Sequence, residues 1–138
     1  MIRNGANYLI QWARYVEGTP FAWGTVDCVS TALTAAAIVT GRDVLDLGEW
    51  DGPETLRAAL EDAGGPVALL ESVAQQVGQR RSTTGDIVYV PGADDITGMG
   101  SLMVVVTDRL LVATVEDGVR LVPLGFPEGA TCWRLNAS

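Results

Sequence analysis

The spacing of apolar residues changes character once along this chain, and that change limits the fold more than any other feature. Before the polar stretch Gln79–Thr84, apolar residues recur at helical spacing. Leu9, Trp12, Ala13 and Val16 predict a helix over Ala6–Glu17, ended by Gly18, Thr19 and Pro20. Val29, Ala32, Leu33, Ala36 and Val39 predict a second, from Asp27 or Cys28 to Thr40, with Gly41 as its C-cap. Asp43–Trp50 reads as an irregular connection. Gly52-Pro53 opens a third helix carrying Leu56, Ala59, Leu60 and Ala63. Gly64-Gly65-Pro66 leads to a fourth, using Leu69, Leu70, Val73 and Val77 and closed by Gly78. After Thr84 the pattern is that of short strands: Ile87–Val90, Leu102–Val106, Leu110–Val115, Val119–Pro123 and Cys132–Leu135. The signals Thr107-Asp108-Arg109 and Glu116-Asp117-Gly118 mark tight turns between them. Helices followed by hairpin-linked strands predict an α+β domain, with the helical first half packed on a small antiparallel sheet or partial barrel.

Residues 1–138 fit one domain, and a 48% apolar content suffices for a core without disulfides. The second helix bears no charge from Cys28 to Gly41, which marks it as central and buried. That run is too short for a bilayer, which takes about 20 apolar residues, so membrane insertion is not expected. The N-terminal residues lack a signal pattern, which predicts synthesis and folding in a cytoplasm. The run Leu102–Val106 is apolar throughout, as a central strand buried on both faces would be.

Seventeen Asp+Glu against nine Lys+Arg give a net charge of −8, which argues against nucleic acid as a partner. The chain has two cysteines, no CxxC pair and no histidine, so no metal site of the Cys/His type is expected and no cofactor is indicated. Gly92–Gly100 contains Asp94 and Asp95 but lacks the ligand spacing of an EF-hand, and reads as an ordinary loop. Arg80-Arg81 reads as a solvated pair.

The segment Pro20-Phe21-Ala22-Trp23-Gly24-Thr25-Val26-Asp27-Cys28 carries the one constellation with chemical content. A cysteine in the first turn of a helix lies where free N–H groups favour the thiolate, so Cys28 is a candidate nucleophile. Equally, cysteine is among the most buried residue types, and Cys28 fits a small core position on an Ala-rich helix. Asp27 is either a cleft residue or the helix N-cap, where aspartate is strongly preferred. Trp23 either lines a cleft or fills the core beneath the loop.

Trp23-Gly24-Thr25-Val26-Asp27-Cys28 resembles the nucleophile segment of NlpC/P60-type (papain-like) cysteine peptidases. Gly85-Asp86-Ile87-Val88-Tyr89-Val90 is similar to the Gly-Asp-hydrophobic strand of that family. More narrowly, Thr40-Gly41-Arg42-Asp43, Gly64-Gly65 and Trp133-Arg134 resemble the pattern of a group of small phage-encoded proteins of about this length. The resemblance implies an NlpC/P60-like fold with Cys28 at the nucleophile position. It also implies a histidine base opening the strand after the Gly-Asp strand, and this chain has none. Ser101 falls at that position, and it is expected to face Cys28 across a shallow groove, with Trp23 and Asp27 beside them. The third, orienting residue should lie near Val112-Ala113, where no side chain has the chemistry. A carboxylate such as Asp94, Asp95 or Glu116 is a poor base toward a thiol and would disfavour the thiolate.

The resemblance therefore implies a phage or prophage tail-associated structural protein near the tail tip. Such a protein is made in the host cytoplasm, resides in the virion and docks other tail proteins. The alternative is a cysteine peptidase or amidase acting on cell-wall peptides, with a base from another source.

Overall fold

The computed structural model describes residues 2–44, 46–92 and 98–136. Four helices, α1 (Gly5–Val16), α2 (Cys28–Thr40), α3 (Pro53–Asp62) and α4 (Pro66–Val73), precede most of the sheet. The strands are β1 (Ala74–Val77), β2 (Ile87–Val90), β3 (Ser101–Val106), β4 (Arg109–Thr114), β5 (Gly118–Pro123) and β6 (Thr131–Leu135). A single 3-10 turn, Gln79–Arg81, separates β1 from β2. All pairings are antiparallel, in the order β1-β6-β2-β3-β4-β5. The protein is thus an α+β domain with its helices on one face of an antiparallel sheet.

Helix α2 is the axis of the helical layer. Cys28, Val29, Ala32, Ala35, Ala36 and Val39 are all buried, and its small side chains let α1 and β3 both pack close to it. Gly41 ends it in the left-handed conformation (φ 76°). A Cβ at Gly41 would meet the Ile2 side chain at 2.8 Å. Leu9 and Ala13 of α1, Leu56 and Leu60 of α3, and Leu69 and Leu70 of α4 complete the layer against Leu102, Val104, Val106, Leu111 and Trp133. Leu56 and Leu60 are fully buried, so shortening either to alanine would cost about 2–5 kcal/mol.

The sheet is buried on its far face too. There Val88, Val90, Val105, Leu110, Ala130 and Cys132 form a second, smaller core, closed by Val122 and Phe126. This explains the unbroken apolar run of β3, whose alternate side chains enter different cores.

One element departs from the sequence expectation. The fourth helix stops at Val73 rather than continuing through Val77, and Ala74–Val77 is a strand. The reason is tertiary: these residues pair with Cys132–Leu135, and the Asn136 N–H donates to the Val73 carbonyl (2.9 Å). The C-terminal strand β6 is an interior strand, inserted between β1 and β2.

That insertion brings together two motifs distant in sequence. The Asp86 carboxylate, 2% exposed, accepts from Arg134 Nε (3.1 Å) and Nη2 (3.0 Å) and from the Thr83 N–H (2.8 Å). Cys132 lies 3.8 Å from the same carboxylate. Burial and the adjacent negative charge push the Cys132 thiol up to about 11 from an ordinary 9.0. Between those values the folded state keeps a proton that the unfolded chain has lost. The associated stability is complete below about pH 9 and declines by about 2–3 kcal/mol as the pH rises toward 11. Urea unfolding from pH 8.5 to 11 should show this alkaline decline, and Cys132→Ala should flatten it by about 1.4 kcal/mol per pH unit.

Candidate functional site

The loop before α2 is a tight reversal. The Val26 N–H donates to the Ala22 carbonyl (2.7 Å) and the Ala22 N–H returns to Val26 (3.0 Å). Gly24 at its tip has φ 86°, and a Cβ there would collide with the Trp50 carbonyl oxygen. Only glycine fits, because both the conformation and the close approach exclude a side chain.

Asp27 is completely buried and gathers the surrounding elements. Its Oδ1 accepts from the Ser30 N–H (2.7 Å), and its own N–H donates to Ser30 Oγ (2.8 Å), a reciprocal capping box. Its Oδ2 accepts from the Gly24 N–H (2.8 Å) and from the indole Nε1 of Trp50 (2.6 Å). One carboxylate therefore caps α2, closes the loop and anchors the connection between α2 and α3. Asp27 is a cap with no solvent-facing surface.

Cys28 is the first residue of α2 and is 1% exposed, packed in the helix-side core. It forms no disulfide with Cys132. Trp23 is half-buried, stacked edge-on against Phe21 with ring centroids 4.8 Å apart. It lines a shallow groove of about 400 Å3 with Leu33, Thr34, Leu47 and Trp50. Cys28 and Ser101 are not among the residues lining that groove.

Ser101 does not meet Cys28 as expected. It opens β3 opposite Val90, and Val90 packs in the far-side core, whereas Cys28 belongs to the helix-side core. Side chains alternate along a strand, so Ser101 shares the face of Met103 and Val105, turned away from α2. Its neighbour Leu102 shares the helix-side core with Cys28. The one-residue difference flips the face, and it replaces a hydroxyl by an isobutyl group on the side where a base would be needed. The start of β3 is itself constrained: Gly100 has φ 88°, and a Cβ there would lie 2.6 Å from the Val90 carbonyl oxygen.

On β4, Ala113 faces the helix-side core and Val112 the far side. Glu116 is exposed at the tip of the β4–β5 hairpin. Asp94 and Asp95 lie outside the described residues. Among the described residues, no three His, Cys, Asp or Glu side chains gather to hold a metal ion, and no helix is long and apolar enough to cross a membrane. Sequence reasoning missed Trp50 and Ser30. Ser30 was findable, since Asp-x-x-Ser at a helix start is a capping pattern; Trp50 had no local signal.

The helical layer on an antiparallel sheet, with the Trp23–Cys28 turn opening the central helix, is an NlpC/P60-like fold. Two solved structures share the fold along nearly the whole chain. One is RipD from Mycobacterium tuberculosis, described as a non-catalytic NlpC/p60 domain protein adapted to peptidoglycan binding. It has a TM-score of 0.50 and 19% identity, covering 99% of this chain and 100% of that one. The other is the P60 domain of an antigen from M. avium subspecies paratuberculosis, with a TM-score of 0.50 and 17% identity, covering 97% and 95%. No curated protein matches the chain in sequence. The chain belongs to the family described as a domain of unknown function (DUF6950), whose model matches residues 4–135.

Removing the Asp27 carboxylate should loosen all three elements at once. Asp27→Ala loses the cap and strands the partly buried Trp50 and Gly24 N–H groups, at a cost of about 2–4 kcal/mol. Asp27→Asn keeps one acceptor but turns an NH2 toward other donors, and should fall between the two. Chemical denaturation followed by tryptophan emission measures both.

Proposed function

We propose that this domain is a catalytically silent NlpC/P60-like module that works by protein–protein docking as a tail-associated structural component of a phage or prophage. The observation that carries the silent reading is the surroundings of Cys28. The thiol is buried, Ser101 at the expected base position lies on the other face of β3 while its neighbour Leu102 shares the thiol's core, and the chain contains no histidine. A positioned base contributes about 10²–10⁴-fold to such chemistry, and members of a triad act as a unit. RipD is described as non-catalytic and adapted to binding, so the fold serves binding without catalysis elsewhere. The phage-tail setting, and a position near the tail tip, rest on the resemblance of the Cys28, Thr40–Asp43, Gly64-Gly65 and Trp133-Arg134 segments to small phage-encoded proteins.

The competing reading is a cysteine hydrolase of cell-wall peptides. Its one support is the placement of Cys28 in the first turn of α2, where helix N–H groups favour a thiolate.

Iodoacetamide labelling separates the two. In the docking reading, Cys28 in the native protein labels far more slowly than in denaturant, across pH 6–9. Fast native labelling with a midpoint well below about 8.5 would favour the hydrolase, and cell-wall peptide cleavage abolished in Cys28→Ala would establish it. Mass spectrometry of purified virions tests the setting: the chain is expected in tails, and its absence would overturn the tail assignment.

A further inference from the structure

The sheet has two edges, β5 and β1, and the chain treats them differently. On β5 the outward N–H of Val119 donates to the Thr19 carbonyl (2.9 Å), and that of Leu121 to the Glu17 carboxylate (3.0 Å). The Gly18 N–H reaches the Val119 carbonyl (2.8 Å), and the next outward position is Pro123, which has no N–H. That edge is closed by the end of α1 and by proline.

On β1 nothing comparable is built. The bond from the Asn136 N–H to the Val73 carbonyl makes Gln75–Arg134 and Val77–Cys132 the hydrogen-bonded pairs of the β1–β6 ladder. The Ala74 carbonyl and both backbone groups of Gln76 therefore point outward. No backbone or side-chain group among the described residues bonds to them. Sheet edges left in this state template the addition of another strand.

The open edge runs between two grooves. One, of about 680 Å3, is lined by Gln75, Val77 and Arg134 and reaches Val39 and Thr40 at the end of α2; the other, of about 670 Å3, is lined by Ala74, Gln76 and Trp133. An added strand directs alternate side chains to opposite faces, so it would fill both. The two differ in chemistry. In the first, Arg134 engages Asp86 and the Arg81 carbonyl through Nε and Nη2, while its Nη1 bonds to none of the described residues. Arg80 and Arg81, exposed in the adjoining 3-10 turn, take part in no ion pair among the described residues. The second groove is lined by Val67, Tyr89 and Trp133, and also by Glu71. Asp86 lines the same groove as Arg134 and pairs with it, so the positive charge left beside the edge, in a chain of net charge −8, is that of Arg80 and Arg81.

We propose that β1 is a docking edge for an extended acidic segment of a partner protein. The segment pairs its backbone with Ala74 and Gln76, directs acidic side chains toward Arg134, Arg80 and Arg81, and directs apolar ones toward Tyr89 and Trp133. This deepens the docking reading by naming the surface and the chemistry of its partner. It remains separable from that reading, because Cys28 alkylation reports on the core beneath α2 and leaves the β1 edge untouched.

The test is an NMR titration of the full chain with two eight-residue peptides, alternating Val-Glu and alternating Val-Lys. The Val-Glu peptide is expected to shift the amides of residues 74–78 and 132–136 and to bind at least about tenfold more tightly than Val-Lys. Gln76→Pro removes an outward N–H that the β6 ladder does not use, so it should fold and lose about tenfold in affinity. Arg80→Glu with Arg81→Glu should reverse the charge preference, and decides the matter if the proline variant fails to fold. Equal binding of both peptides, shifts elsewhere, or full affinity in folded Gln76→Pro would each overturn the proposal. So would a concentration-dependent dimer abolished by Gln76→Pro, which would place a second copy on β1 instead.

Discussion

The carboxylate of Asp27 meets three N–H donors from three parts of the chain: Ser30 in α2, Gly24 in the preceding loop, and the Trp50 indole in the connection to α3. A buried carboxylate is expensive unless its lone pairs are satisfied, and here the partners are backbone and indole groups that would themselves be stranded without it. The arrangement is mutual. The loop turns back because Gly24 can take a positive φ beneath the Trp50 carbonyl, and Trp50 stays down because its Nε1 is held. The helix that begins at Cys28 inherits its start and direction from this one side chain, and the packing of α1 and β3 on α2 follows from that direction.

The same lock bears on chemistry. It seats Cys28 in the core and places the neighbouring groove on the Trp23–Trp50 side, away from the thiol. The segment that resembles a nucleophile turn has here the surroundings of an interior. Asp27 and Gly24 are needed for folding whether or not a reaction takes place, so the aromatic-Gly-x-x-Asp-Cys pattern can persist without catalysis. That is a physical reason for separating the fold of an NlpC/P60-like domain from the activity of its enzymes.

The sheet adds a second organising fact. Apolar side chains are buried on both of its faces. The Asp86–Arg134 pair fixes β6 between β1 and β2. By doing so it makes β1, a four-residue strand, the edge. The closing of β5 by Glu17, Gly18, Thr19 and Pro123 is independent of this and leaves the two edges unequal.

Much of the architecture was legible in the residues. Helical spacing located α1, α2 and α3 to within a residue or so, because amphipathic or wholly apolar periods, Gly-Pro openings and a C-cap glycine are local signals. The hairpin turns at Thr107-Asp108 and Asp117-Gly118 were local too. The cap role of Asp27 was one of two readings that its position allowed. What spacing could not decide was anything that depended on a distant partner. Ala74–Val77 carries no strong local preference and became a strand because β6 lay beside it. Ser101 and Leu102 differ by one residue, and only the pairing of β3 with β2 determines which of them shares the core of Cys28. Trp50 reaches Asp27 across a connection without periodicity. The sequence by itself determined the helical half, the strand-rich half and the absence of a histidine base. The tertiary structure decided register, edges and burial, because each is set by contacts between segments far apart in the chain.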